Sequence, residues 1–412
     1  MSFKLIILLV IVLGALAIAQ LVKLYEYSSK LRNYKEGEIT NRDNRMNANM
    51  MLLFMFVLFG GFIFLLCKYG FTGRGIAASE HGATTDWLLD INLILIISVF
   101  FITNFLLFLF SYKYVRKEGV KAYYYPHNNK LELIWTVIPA VVLAFIIILG
   151  LKTWNEITDE AAPEAIRVEL FSEQFKWTAR YAGEDNKLGY FDYKLTTDKN
   201  QLALATSESI DTAIIAMEAS YKTIEEQLNN KSIIMIPKDR EFMEKDMDRK
   251  GRLIRLLYQM KGRHDVAKDA YAYDDIIETD TLHLIVNKDY ELNFRAKDVI
   301  HSAYFPHFRL QMNTVPGLVT RFKFKPTITT TEMRKKSNNA TFNYVLMCNK
   351  ICGSAHYKMK MIVVVETQKE FDTWMATKKN FKATFLATEE AAATEETTDV
   401  QAPSDSLQVA VK

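Results

Sequence analysis

Four stretches in the first part of the chain contain no charged residue and are rich in large apolar side chains. Each is close to the ~20 residues that a helix needs to cross ~30 Å of hydrocarbon. The pattern therefore predicts a transmembrane region over residues 1–151. The predicted spans cover residues 5–22, 46–67, 91–112 and 133–151.

The loops between these spans differ in basic charge. Six lysines and arginines lie between Lys23 and Arg45 and five lie between Lys113 and Lys130, but only two lie between Lys68 and Asp90. Because cytoplasmic loops carry an excess of basic residues, loops one and three are expected in the cytoplasm. Ala17-Ile-Ala19 resembles a signal-peptidase site. Cleavage there would reverse the topology, so we expect an uncleaved first helix.

From residue 152 onward the pattern changes to short alternating segments bounded by polar turns, which are typical of β-strands. Several such strands in succession indicate an all-β sandwich or barrel over residues 152–384. A short helix is expected over 371–378. Residues 385–412 are poor in large apolar side chains and are expected to be disordered. The predicted strands cover residues 166–171, 281–286, 291–294, 320–324, 344–347 and 361–365.

An insertion with a helical period interrupts the strand pattern at about 199–279. Apolar residues from Ile210 to Leu228 follow a heptad-like stripe, and Pro237 opens a second, highly charged segment. Two amphipathic helices in an αα-hairpin fit this pattern. The hairpin is either a packed decoration or a docking surface for another subunit.

Composition excludes several classes of protein. The 412 residues carry a formal net charge of +3, which argues against nucleic-acid binding because such proteins need a marked basic excess. Three cysteines are too few for a disulfide scaffold. Cys67, at the end of the second span, is expected to be a small apolar filler.

The candidate chemistry lies in one loop between two predicted strands. Cys348, Cys352, His356 and Met359 place two thiols, an imidazole and a thioether within twelve residues. Soft sulfur ligands with imidazole select copper or zinc, and the thioether argues against zinc. The spacing differs from the motif for c-type haem attachment, and no second cysteine cluster supports an iron–sulfur centre.

Two alternatives stay open at this point. The two cysteines could form a disulfide, since the domain is expected to face an oxidising compartment. A metal site also needs a nitrogen ligand from elsewhere in the fold. The upstream candidates are His283, His301 and His307. The sequence pattern places His301 at the start of a turn, but it does not decide whether His301 or His307 is the ligand.

Four motifs together resemble subunit II of cytochrome c oxidase, in the haem–copper oxidase superfamily. The resemblance covers roughly residues 131–195 and 281–375. It implies a membrane-anchored, cupredoxin-like (Greek-key) domain, here with an inserted αα-hairpin, that carries a dinuclear copper centre, Cu-A. The motifs are residues 132–140, 298–302, 315–317 and 348–359.

The resemblance also implies a role for each matching residue. Cys348 and Cys352 would bridge both copper ions. His301 and Met359 would complete the coordination of one copper ion. His356 and the backbone carbonyl of Lys350 would complete the coordination of the other.

Outside the copper ligands, the resemblance assigns two further regions. Glu132 would lie at the mouth of a proton path on the cytoplasmic side. The alternative is that Glu132 is an interfacial carboxylate without a role in proton transfer. Phe175 and Trp177 would mark the region where electrons enter.

Three departures from the family pattern qualify this reading. Lys350 replaces the glutamate that helps to hold a magnesium ion, so a magnesium site is doubtful. Phe175 replaces the first tryptophan of Gln-Trp-x-Trp. The additional spans and the hairpin indicate a larger assembly with a dedicated donor, such as a respiratory supercomplex.

The expected function is therefore that of an electron-transferring subunit of a terminal oxidase. It would take electrons from a c-type cytochrome and pass them to haem in subunit I, where oxygen is reduced with proton translocation. The expected location is a bacterial inner membrane, with the large domain on the periplasmic side. One alternative is a membrane-anchored copper-binding protein without electron transfer. A second is a structural subunit, against which the intact ligand set argues.

Overall fold

A computed structural model describes residues 3–31, 40–70, 72–117, 119–230 and 232–385. The chain divides into two compact units. One contains Met1–Arg74 and Asp90–Val142, and the other contains Gly75–Leu89 and Leu143–Lys412. The predicted disordered tail, residues 385–412, lies outside the described residues except for its first one.

Four long helices in the first part of the chain are long and apolar enough to cross a membrane. They confirm the four predicted spans, and the helix through Pro139 is continuous because neighbouring helices in a membrane can satisfy the carbonyl that proline frees. Cys67 lies in a π-helical turn, Leu66–Gly70, and is exposed. The helices are α1 (Phe3–Leu31), α2 (Asn41–Leu65), α3 (Glu80–Lys113) and α4 (Asn129–Thr158).

The second unit is a β-sandwich of two five-stranded sheets with mixed strand directions, as in a cupredoxin. The strands of the sandwich are β1 (Ile166–Glu173), β2 (Lys176–Tyr181), β3 (Ile276–Glu278), β4 (Thr281–Ile285), β5 (Tyr290–Ala296), β6 (His301–Phe305), β7 (Leu310–Thr314), β8 (Thr320–Phe324), β9 (Tyr344–Cys348) and β10 (Lys360–Glu366). One sheet has the order β3-β2-β1-β5-β8 and the other β4-β10-β9-β6-β7.

All six predicted strands are present, and four further strands were not predicted. β6 is the important omission: the expectation that His301 begins a turn was wrong, because His301 is the first residue of this strand. Four of the five residues of β6 are buried. A strand that is buried on both faces lacks the alternation on which strand prediction rests.

The predicted αα-hairpin is confirmed and lies between β2 and β3. Thr206 caps its first helix with a capping box, and Pro237 occupies the first turn of its second helix. Ile210, Ile214 and Leu257 are buried in the core between the two helices. The remaining helices are α5 (Ser207–Asn229), α6 (Pro237–Arg263), α7 (Ala270–Tyr273), α8 (Thr330–Lys336) and α9 (Gln368–Met375); α9 confirms the short helix predicted near residue 371.

The segment Gly75–Leu89 packs within the β-sandwich unit. Arg309 donates to both carboxylate oxygens of Asp86, at 2.9 and 3.0 Å. The backbone N–H of Ala78 donates to the carbonyl of His307 at 2.7 Å. The loop between the second and third spans therefore forms part of this unit.

Candidate metal centre

Strand pairing brings His301 next to Cys348. In the register of β6 with β9, Ala303 lies opposite Cys348. His301 is two residues from Ala303 and so projects from the same side of its strand as Ala303 does. The Nδ1 atom of His301 consequently lies 3.8 Å from the Sγ atom of Cys348. His301 is fully buried.

The loop between β9 and β10 carries the remaining predicted ligands and is held at both ends. The backbone N–H of Cys348 donates to the Met359 carbonyl at 3.1 Å, and that of Asn349 donates to the Ser302 carbonyl at 2.9 Å. A 3₁₀ turn over His356–Lys358 brings the chain back toward the cysteines. A loop anchored in this way can hold ligands in a fixed arrangement.

Within this loop, the sulfur and nitrogen atoms converge on one region. The Sγ atoms of Cys348 and Cys352 are 3.9 Å apart and both thiols are free, whereas an S–S bond is ~2.05 Å long. The Sγ atom of Cys352 lies 3.5 Å from His356 Nδ1 and 3.8 Å from Met359 Sδ. The disulfide alternative therefore has no support in this structure.

These spacings fit metal ligation. Two donors that each lie about 2.0–2.3 Å from one ion, at a tetrahedral angle, are roughly 3.3–3.8 Å apart, which is close to the observed separations. The carbonyl oxygen of Lys350 also faces the cluster, 3.2 Å from Cys348 Sγ, while its ammonium group is on an exposed residue. His301, Cys348 and Cys352 by themselves form a group that could hold a metal ion.

The other candidate histidines lie away from this cluster. His283 pairs with Glu366, 2.7 Å away, and stacks on the Trp374 ring. His307 packs edge-on against the rings of Phe342 and Tyr344. The fold thus places His301, and not His307, in the cluster, a choice that the sequence pattern left open.

Asp298 positions His301, and sequence reasoning missed this role. Its Oδ1 atom lies 2.9 Å from His301 Nε2, so the imidazole can present Nδ1 to the cluster. The carboxylate also accepts hydrogen bonds from the backbone N–H groups of Val299 and Gln174, both at 2.7 Å. Carboxylate–histidine pairs commonly orient metal ligands, and the spacing of three residues before His301 was the available signal.

These hydrogen bonds also affect the acidity of Asp298. Partial burial alone would raise its pKa. The hydrogen bonds from His301, Gln174 and Val299 outweigh that effect and hold the pKa of Asp298 below its ordinary value of 3.8. Asp298 is therefore a carboxylate at neutral pH, as the orientation of His301 requires.

Aromatic residues on the β1–β2 connection and at the start of β2 lie against the cluster. Gln174 donates a hydrogen bond to the carbonyl of Cys352. Half-buried Phe175 packs so closely on Gly353 that a Cβ there would lie 2.9 Å from its ring. Trp177 is 1% exposed and its ring centroid is 6.3 Å from that of His301. Trp177 is thus an interior contact of the cluster, and Phe175 is the more accessible of the two.

Burial changes the acidity of the inner thiol. Removal from water, reinforced by the neighbouring Cys348, raises the pKa of Cys352 to about 11. A metal ion that binds here must displace this proton.

Glu132 belongs to the helical unit and is not part of the cluster. It lies in the first turn of α4, and its carboxylate accepts a hydrogen bond from the backbone N–H of Asn128 at 3.2 Å. Asn128 in turn accepts from Leu131 N–H at 3.0 Å. Glu132 thus helps to cap α4, a structural role that the sequence did not reveal.

Comparisons with known proteins agree with both halves of this description. The family described as "Cytochrome C oxidase subunit II, transmembrane domain" matches residues 72–153. The alternative cytochrome c oxidase subunit 2 of Bradyrhizobium diazoefficiens is 26% identical over 294 residues, which is 71% of this chain and 79% of that protein. Cytochrome c oxidase subunit 2 of Thermostichus vulcanus is 27% identical over 304 residues, 72% of this chain and 76% of that protein.

Among solved structures, the periplasmic domain of subunit II of cytochrome oxidase from Bradyrhizobium japonicum is similar to 53% of this chain and 96% of its own length, with a TM-score of 0.26 and 14% identity. The chain is an integral membrane protein that is similar to cytochrome c oxidase subunit II.

Proposed function

We propose that this chain accepts electrons from a c-type cytochrome at a dinuclear copper centre and passes them to haem in subunit I of a terminal oxidase, where oxygen is reduced and protons are transported. The single observation that carries the proposal is the convergence of two free thiols, two imidazoles and a thioether on one partly buried region. Similarity to cytochrome c oxidase subunit II supports an oxidase subunit in general, and the copper chemistry is our inference from this donor set.

The chain's own residues have distinct roles in holding the metal. Cys348 and Cys352 would bridge the two ions, with His301 and Met359 on one ion and His356 and the carbonyl of Lys350 on the other. Bound there, a thiolate-bridged copper pair supplies one-electron redox chemistry with little change in geometry. The anchored loop keeps the donors in place, and the Asp298 carboxylate fixes the orientation of His301.

The surroundings favour electron transfer over oxygen chemistry. Cys352 and Met359 are buried at 5% and 2% exposure, and Phe175 and Trp177 close the site from the β1–β2 side. Close packing of this kind keeps the ligands in place. Phe175 is the residue we propose for electron transfer from the surface, with Trp177 supporting His301 from the interior.

Two further elements of the proposal concern ions and protons. Lys350 presents its backbone carbonyl to the cluster and has an exposed ammonium group, which cannot bind a cation. We therefore propose that no magnesium is held through this residue. We also propose that Glu132 takes up protons from the cytoplasmic side, in addition to its capping contact with Asn128.

Metal analysis and EPR of the purified oxidase that contains this chain test the proposal. Beyond the copper that subunit I contributes, we expect two copper ions per chain, with hyperfine splitting from one unpaired electron shared by two copper nuclei. Cys352→Ser should abolish this signal, whereas Cys67→Ser, at an exposed thiol outside the cluster, should retain it. A single copper per chain beyond that of subunit I, with the signal of an isolated ion, would favour the copper-binding alternative instead.

A further inference from the structure

The loop that holds the candidate copper ligands also presents an unusual surface charge. Residues 344–365 contain three lysines and no aspartate or glutamate. Lys350 lies between the cysteines, Lys358 directly precedes Met359 and Lys360 directly follows it, and all three are exposed. We call these three residues the lysine rim. Each rim lysine is thus within two residues of a candidate ligand.

Two carboxylates of the β-sandwich, Glu173 and Asp298, have partners outside the lysine rim. Glu173, at the end of β1, is held between Lys176 at 2.7 Å and Lys297 at 2.6 Å. Asp298 is directed toward His301 and the backbone of the β1–β2 connection. Both carboxylates are therefore already engaged with other groups.

Two large apolar side chains lie within the same loop. Ile351 is 87% exposed and Tyr357 is 77% exposed, although Ile351 directly precedes Cys352 and Tyr357 directly follows His356. Apolar side chains among solvated charges are typical of a protein-docking surface. A partner seated on Ile351 and Tyr357 would contact the very loop that supplies the ligands.

We propose that the electron donor docks on this loop through an acidic face, with its carboxylates opposite the lysine rim and an apolar contact on Ile351 and Tyr357. This inference rests on the proposed function, because it specifies the donor's chemistry. Complementary charges speed encounter and fix orientation. Since both groups flank the ligand residues, docking here gives a short path for the electron.

Another segment of this chain could compete for the same surface. Residues 386–412 contain six acidic residues and one lysine. We assign the surface to a donor because the exposed apolar pair and the adjacent ligands suit transient electron transfer, and we treat the tail as an outcome of the test.

Binding measurements test the proposal without relying on turnover. The purified oxidase containing the full chain is titrated with two redox-inactive, zinc-substituted c-type cytochromes, one strongly acidic and one strongly basic. We expect the acidic cytochrome to bind more tightly, with an affinity that falls as salt is added. The double variant Lys358→Glu/Lys360→Glu should weaken its binding by roughly tenfold or more at low ionic strength.

A matched double variant, Lys222→Glu/Lys369→Glu, reverses two exposed lysines on α5 and α9 and should leave binding unchanged. Tighter binding of the basic cytochrome, or no effect of the rim variant, would overturn the proposal. A variant that ends at Phe385 and binds the acidic cytochrome about tenfold more tightly would assign the surface to the tail instead.

The copper EPR signal of each preparation separates the two levels of inference. Loss of binding with an intact copper signal refutes the acidic-face proposal alone. A wild-type protein without the shared-copper signal refutes the proposed function, whatever the binding result.

Discussion

The hydrogen bond between Asp298 and His301 offers the sharpest test of how this fold maintains its metal centre. Asp298→Asn preserves the size of the side chain but removes its charge. The amide has only one oxygen, so it cannot accept all three N–H groups that now surround the carboxylate, from His301, Val299 and Gln174. Its NH₂ group must face at least one of these donors.

Two independent estimates give the size of the expected effect. A hydrogen bond to a charged group contributes about 1.5–3 kcal/mol. Loss of a carboxylate that orients a ligating histidine typically lowers metal affinity about 10–100-fold, which corresponds to about 1.4–2.8 kcal/mol. The two ranges overlap, so we expect copper affinity to fall by roughly 10–100-fold.

Competition for copper against a series of chelators measures this change directly. Asp289→Asn is the matched control, because Asp289 is an exposed aspartate that pairs with Lys325 at 3.4 Å and lies outside the cluster. Its effect should stay within about 0.5 kcal/mol. If Asp298→Asn retains copper as well as this control does, the argument that Asp298 fixes the orientation of His301 is wrong.

The pH dependence of stability gives the same prediction a second readout. The pKa of Asp298 is lower in the folded chain than its ordinary value of 3.8. Its contribution to stability is therefore present above that ordinary value and is lost as the pH falls through the folded value. The difference in thermal stability between wild type and Asp298→Asn should accordingly be largest near neutral pH and should shrink in acid.

Three further predictions follow from the site and the helical unit. Because the pKa of Cys352 is raised to about 11, copper binding to metal-free protein should strengthen with rising pH, by up to roughly tenfold per pH unit for each proton released; affinity that is flat with pH would contradict a protonated thiol. Gly353→Ala places a Cβ 2.7 Å from Gln174 Nε2 at a φ of +146°, and should lower stability by about 1–3 kcal/mol in thermal unfolding, whereas Gly262→Ala, with open space around it, should not. Glu132→Gln should slow proton-coupled turnover while the copper spectrum is retained, and unchanged turnover would leave Glu132 with its helix-capping role alone.

Local pattern was sufficient for the elements whose environment is uniform along the chain. Long uncharged stretches predicted the four membrane helices because a helix in lipid must be apolar around its whole circumference. The heptad-like stripe predicted α5, and the segment that Pro237 opens predicted α6, because each helix buries one face against the other. The ligand loop could also be predicted from local pattern, because its sulfur and imidazole donors lie close together in the sequence.

The fold alone determined which distant residues complete the site. Strand β6 was missed because burial on both faces removes the alternation that marks a strand, and the position of His301 follows from the pairing of that strand with β9. The contact from Asp298 to Gln174, and the packing of Phe175 on Gly353, join segments that are far apart in the chain. Sequence determines the donors that one loop can supply, whereas donors from different strands meet only through sheet register, which is a property of the whole packed domain.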